Sequence, residues 1–157
     1  MVQNLEHLLE GSSYKEIDRI ACVVGPGGFT SLRVAVGLSN TLADQLKVDQ
    51  CGVHLSDVYA ARAQSKNIYW LHSTKKNELF VKQEKKFPEA VCMKADEFFA
   101  DQSGEWVGEL IPDQRAMAEA KGWLEAKMRP PESVLPDFLA RQEYATQNLV
   151  PWYGRGW

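Results

Sequence analysis

The chain is sparing with the residues that metal, redox and membrane functions draw on. Its three cysteines, Cys22, Cys51 and Cys92, lie far apart with no CxxC pair, and read as reduced thiols serving as small core residues. Three histidines, His7, His54 and His72, show no HxxxH or HExxH spacing, so the sequence offers no metal ligand set. No Ser or Cys stands in a GxSxG-type elbow, which leaves a nucleophilic triad without support; each His reads as structural or solvent-facing. Asp96-Glu97 is a carboxylate pair, but adjacent helical residues do not face one another, and it reads as a helix-start feature. No apolar run nears the roughly 20 residues of a membrane-spanning helix. The opening Met1-Val2-Gln3-Asn4-Leu5-Glu6-His7 has neither a basic start nor an apolar core, so no signal peptide is read there and a cytoplasmic location is expected. A net charge of −3 argues against a protein whose main task is gripping nucleic-acid phosphate alone.

What is present is an ordinary globular composition over 157 residues, enough for one domain or two small lobes with a sizeable core. Val2, Leu5, Leu8 and Leu9 recur at helical spacing until Gly11. Ile17 to Val24 reads as a strand whose nearly continuous apolar end suggests burial on both faces. A second helix is expected from Ser31 to Leu46, with a stripe of Leu32, Ala35, Leu38, Leu42 and Leu46. Gly37 inside it costs about 1 kcal/mol relative to Ala, which points to close packing there. Further along, the pattern predicts a strand over Gln50 to Val53 and a helix from Ser56, its N-cap, to Gln64. A hairpin pairs Asn67 to His72 with Glu78 to Glu84. A strand over Ala90 to Lys94, a helix over Ala95 to Asp101 and a strand over Glu105 to Val107 come next. Helices are expected over Asp113 to Met128 and Pro136 to Tyr144. This alternation argues for α/β lobes.

The most informative segment is Gly25-Pro26-Gly27-Gly28-Phe29-Thr30-Ser31-Leu32-Arg33. Glycines around a proline let the backbone turn tightly and approach a neighbour closely, and Thr30 and Ser31 are N-cap types. A strand, a tight turn and a helix N-terminus can cradle an anion, shape a partner surface, or only turn the chain. No Gly-Lys-Ser/Thr comes after the turn, so it is not a Walker motif, and the GxGxxG spacing is absent. Arg33 in the first helical turn opposes the macrodipole by a few tenths to about 1 kcal/mol, which calls for a carboxylate or phosphate, internal or from a partner.

This segment resembles the GPGSFTGLRIG motif of the TsaB (YeaZ) family, with Gly28 in place of Ser and Ser31 in place of Gly. Ile17-Asp18-Arg19-Ile20-Ala21 is similar to that family's DIDAIAV lead-in. Ser73-Thr74-Lys75-Lys76-Asn77-Glu78-Leu79-Phe80 is similar to its DARRGEVY hairpin, and Val150-Pro151-Trp152-Tyr153-Gly154-Arg155 to its EPVYLR tail. The resemblance implies actin/Hsp70-like (ribonuclease H-like) lobes. Residues 1–64 would form a first lobe lacking the usual N-terminal strands, and residues 65–157 a second, smaller α/β lobe whose tail packs back. Nothing like the family's AIDTS-like opening strand precedes Met1, so the edge of Ile17 to Val24 would be left bare or covered differently: the chain is a shortened variant from a reduced genome, further residues are encoded upstream of Met1, or a partner covers the edge.

The resemblance further implies a non-catalytic scaffold, without a cofactor or metal, that activates a TsaD-like enzyme in threonylcarbamoylation of the tRNA adenosine beside the anticodon. A TsaE-like ATPase and tRNA would join the wider assembly, and homodimers are an option of the family. The candidate partner interface is Leu5, Leu8 and Leu9 of the first helix, Gly25, Pro26, Gly27, Gly28, Phe29 and Thr30 of the turn, and Arg33 and Gly37 of the second helix. Lys75, Lys76, Lys82, Lys85 and Lys86 read as a solvated hairpin edge or a weak tRNA contact, and Trp152, Tyr153, Arg155 and Trp157 as a tail packing within the chain. The alternatives are a glycoprotease-like peptidase and an autonomous nucleotide-binding phosphotransferase.

Overall fold

The computed structural model describes residue 7, residues 13–74 and residues 77–154. The first helix with Leu5, Leu8 and Leu9, the lysines Lys75 and Lys76, and Arg155 and Trp157 lie outside these residues. Two compact units divide the chain. One takes residues 1–53 and 142–152, the other residues 54–141 and 153–157.

In the first unit, strand β1 (Arg19–Gly25) leads through the glycine turn into helix α1 (Phe29–Leu46), with strand β2 (Asp49–His54) after it. The two strands form a two-stranded sheet. Along β1 exposed and half-buried residues alternate, and Val23 is exposed, so the expectation of burial on both faces is corrected. Among the described residues one helix covers this two-stranded sheet, which leaves one side to bury and makes alternation the natural pattern.

Helix α1 begins earlier than expected. Its N-cap is Gly28, in extended conformation and making no side-chain cap bond. Thr30 and Ser31 therefore sit inside the first turn, exposed, rather than capping it. The buried line is Leu32, Val36, Ser39 and Ala43, while Ala35, Leu38, Leu42 and Leu46 are half-buried beside it. Small Ser39 and Ala43 on the contact line let the helix lie close against the sheet, and the leucines flank it.

The C-terminal segment completes this unit. Ala145 forms an antiparallel bridge with Gln50, with N–H···O bonds of 2.9 and 3.0 Å, and the Trp152 N–H donates to the Val24 carbonyl at 2.7 Å. Gln50 is buried, and its side chain is satisfied: Ser39 Oγ donates to its Oε1 at 3.1 Å and its Nε2 donates to Asn40 Oδ1 at 2.9 Å.

In the second unit, helix α2 (Leu55–Arg62) precedes the strands β3 (Tyr69–Ser73), β4 (Glu78–Gln83) and β5 (Phe87–Lys94), helix α3 (Ala95–Asp101) and strand β6 (Glu105–Glu109). Helix α4 (Pro112–Ala120), strand β7 (Leu124–Glu125) and helix α5 (Leu135–Ala140) complete the order. The sheet order is β5-β4-β3-β6-β7; β3, β4 and β5 run antiparallel, and β3, β6 and β7 parallel. Tyr69, Leu71, Leu79, Val81, Phe98 and Trp123 anchor its core, with Tyr69 and Trp123 meeting edge-to-face at 5.1 Å.

Four boundaries differ from expectation. The units part at Val53/His54 rather than at 64/65, because α2 packs against α5, β6 and β3 of the second unit. His54, not Ser56, caps α2: its Nδ1 accepts the Ser56 N–H at 3.2 Å. The helix expected to reach Met128 stops at Ala120, since Gly122 takes φ +75° and turns the chain so that Trp123 enters the core. Likewise α5 ends at Ala140, and residues from Gln142 onward belong to the first unit.

Candidate functional site

The glycine turn is built from the inside out. Gly25 sits at φ +149°, where a β-carbon would run into the Trp152 carbonyl, so only glycine fits between β1 and the returning tail. The Gly25–Pro26 peptide is cis. Both residues are buried; they hold the turn and offer no side chain to a partner. Gly27, Gly28, Phe29 and Thr30 come next on the surface, with Phe29 51% exposed.

From there the exposed face continues up α1 through Arg33, Val34, Gly37 and Thr41, which helical spacing places on neighbouring turns. Val34 is 50% exposed and is the member of this face that sequence reasoning missed. Nothing lies within 4 Å of a β-carbon built at Gly37. The close packing expected there is thus not made by the described residues. Thr41 Oγ1 donates to the Gly37 carbonyl at 2.8 Å, folding that hydroxyl onto its own helix.

Arg33 reaches back over the Phe29 ring, with its guanidinium carbon 5.1 Å from the ring centroid. Among the described residues it meets no carboxylate, and the first turn of α1 contains no acidic residue. The cation–π contact orients the side chain, and no described residue supplies the anion that the helix N-terminus and its cation call for. The structure so unites Gly27, Gly28, Phe29, Thr30, Arg33 and Gly37 on one surface, and takes Gly25 and Pro26 inside.

Other candidates resolve differently. Lys82 pairs with Asp57 at 2.7 Å, and Lys86 Nζ donates to Gln102 Oε1 at 2.8 Å; these two lysines are engaged within the unit. His54 Nδ1 lies 2.6 Å from Ser56 Oγ, a Ser–His contact no motif announced. Ser56 is 1% exposed, out of reach of a substrate. Burial pushes the imidazoles of His54 and His72 below the usual range. The Tyr59 hydroxyl, donating to Glu109 Oε1 at 2.8 Å, is pushed up to about 12, by burial first and then by that carboxylate. Among the described residues no three His, Cys, Asp or Glu side chains gather as a metal site, and no helix is long and apolar enough to cross a membrane.

A family model described as TsaD, tRNA N6-adenosine threonylcarbamoyltransferase, matches residues 4–138. No curated protein matches the chain by sequence. Among solved structures, one described as an uncharacterised protein with similarity to peptidase YeaZ from Pseudomonas aeruginosa has a TM-score of 0.66 at 21% identity, over 99% of this chain and 81% of that one. YeaZ from Pseudomonas aeruginosa has a TM-score of 0.63 at 20% identity, over 98% and 80% respectively. At this identity the likeness shows the fold: actin-like, with ribonuclease H-like lobes, as the mixed sheet of the second unit illustrates.

Proposed function

Since the chain belongs to the family described as TsaD, tRNA N6-adenosine threonylcarbamoyltransferase, we propose that it acts in that tRNA modification as a TsaB-type, non-catalytic partner of a TsaD-like enzyme. The observation that carries this reading is the open face of Phe29, Thr30, Arg33, Val34 and Gly37 on α1. It combines exposed apolar surface, an uncovered glycine beside which another helix could pack closely, and a cation that meets no carboxylate among the described residues. Such a face suits a protein partner better than bulk water. On this reading the reactive groups come from the partner enzyme, the chain carries no cofactor, a TsaE-like ATPase and tRNA join the assembly, and the work is done in the cytoplasm.

The test is co-expression with the TsaD-like enzyme of the same organism, then size-exclusion chromatography and a tRNA threonylcarbamoylation assay. The wild-type chain is expected to co-elute with the enzyme and to raise its activity. Arg33→Glu combined with Val34→Asp is expected to do neither while remaining folded. A double variant that still co-elutes and activates overturns the docking face. Transfer or peptide cleavage by the pure chain alone overturns the non-catalytic role and favours an enzyme. A homodimer over the same face would appear without the enzyme and dissociate when it is added.

A further inference from the structure

Strand β2 ends and helix α2 begins at His54, and an imidazole makes the join. Its Nδ1 accepts the Ser56 N–H at 3.2 Å and lies 2.6 Å from Ser56 Oγ. Ser56 Oγ in turn donates to Asp57 Oδ1 at 3.3 Å, and the same oxygen takes Lys82 Nζ at 2.7 Å. A ring nitrogen that accepts a main-chain N–H carries no proton of its own. This cap therefore exists only in the neutral imidazole, with its proton on Nε2. The first turn of α2 is held by His54 at the end of β2 and, through Asp57, by Lys82 of β4.

The same ring belongs to a cluster. Trp70 of β3 meets His54 edge-to-face at 5.4 Å and stacks with His72 at 5.7 Å, with 13° between the latter planes. Both imidazoles are half-buried, and burial weakens the hold of each on a proton. Four elements present charge to His54. Asp57 of α2 and Glu89 of β5 favour a proton on it, while Lys82 of β4 and a charged His72 of β3 oppose one. Glu109 of β6 favours a proton on His72. Protonating both rings sets two like charges against one indole, so the two sites titrate as a coupled pair.

We infer that the head of α2 is a proton-released latch: neutral His54 holds the first turn shut, and protonated His54 lets it open. A charged ring can still donate to Ser56 Oγ, but the Ser56 N–H is then left without an acceptor. Ser56 is 1% exposed, so water supplies that acceptor only when the turn opens. In the open turn the imidazole is hydrated and takes up a proton near the ordinary 6.5. Because the closed ring binds a proton more weakly than the open one, acid drives opening and alkali closes the latch. His54 alone favours the open turn by up to about tenfold for each pH unit below about 6.5, until the closed ring itself titrates. The inference is independent of the docking proposal, since every group in it lies in the second unit.

Amide exchange of the full chain, followed by NMR from pH 7 to 5.5, reads the latch as the protection of the Ser56 N–H after correction for the intrinsic rate. In the wild type this protection is expected to fall at least about threefold over that range, and to lie well below that of Leu71 in the sheet throughout. His54→Asn and His54→Ser each supply a cap acceptor that does not titrate in this window. Both are expected to hold Ser56 protection level within about twofold, and either suffices should the other fail to fold. His72→Phe, which leaves the cap in place, is expected to keep the fall. A level wild-type profile overturns the latch, as does a fall that persists in the capping variants. Ser56 protection equal to that of Leu71 also overturns it, since opening would then be global unfolding.

Discussion

The Asn40 side chain grips Leu149 from both sides: its Nδ2 donates to the Leu149 carbonyl at 3.0 Å, and its Oδ1 accepts the Leu149 N–H at 2.8 Å. One side-chain amide thereby plays the part of a neighbouring strand for the returning tail. Because Oδ1 also accepts Gln50 Nε2, helix α1, strand β2 and the tail share a single polar knot. Asn40→Ala leaves Leu149 and Gln50 each short of a partner, and is expected to destabilise the first unit by about 2–3 kcal/mol in urea unfolding. Asn40→Asp keeps the acceptor and loses the donor, so a smaller loss is expected. Equal stability of all three proteins would show that the knot contributes nothing.

Two glycines with positive φ separate strain from collision. At Gly122 the backbone sits at φ +75° with open space around it, so Gly122→Ala is expected to cost about 1–2 kcal/mol, from backbone strain alone. At Gly25 the Trp152 carbonyl blocks a β-carbon as well. Gly25→Ala is expected to cost more, about 3 kcal/mol or above, and to expose the 142–152 segment to limited proteolysis. Matching losses at the two sites would contradict the close approach at Gly25.

Acid should weaken the second unit through its histidines. Burial lowers the pKa of His54 and His72 beneath the ordinary 6.5, so below that pH the unfolded chain takes up protons that the folded chain refuses. Stability is then full above about pH 6.5 and falls as pH drops toward the folded-state values, by at most about 1.4 kcal/mol per pH unit for each His. Melting temperatures measured from pH 7.5 to 5 check this. His72→Phe, which keeps a ring against Trp70, is expected to flatten part of the decline. A wild-type profile that is level across this window would refute the assignment.

The exposed face of α1 makes the opposite demand on stability. Phe29 and Val34 are about half exposed, so Val34→Asp is expected to change the melting point of the isolated chain by no more than about 0.5 kcal/mol equivalent. In the presence of the TsaD-like enzyme it is expected to weaken the complex by tenfold or more. A Val34→Asp chain that binds the enzyme as tightly as the wild type, measured by calorimetry, would remove this residue from the interface.

Much of the local structure is legible in the residues. Helix Ala95–Asp101 begins and ends where the pattern places it, and β3 and β4 pair as the expected hairpin; the alternation expected in them is not kept, since Tyr69, Trp70 and Leu71, and Leu79, Phe80 and Val81, are buried in succession. Caps are less readable: a histidine side chain serves α2, and a bare glycine serves α1, whereas propensity favours Ser and Thr. Gly122 reads as a weak spot inside a helix, yet whether a glycine bends a helix or ends it depends on where the next side chain can pack. Trp123 has a core to enter, and the helix ends. The proposed docking face is half visible, through Phe29, Arg33 and Gly37; Val34 is hidden because an exposed valine looks like any other helical valine.

The first unit is stitched from two stretches of chain, residues 1–53 and 142–152, with residues 54–141 of the second unit in between. During synthesis, residues 54–141 have emerged and can settle before the last strip of the first unit leaves the ribosome. Until then Gln50 lacks Ala145 and Val24 lacks Trp152, so β1 and β2 wait with bare backbone. The first unit is therefore the later of the two to close, although its strands are made first.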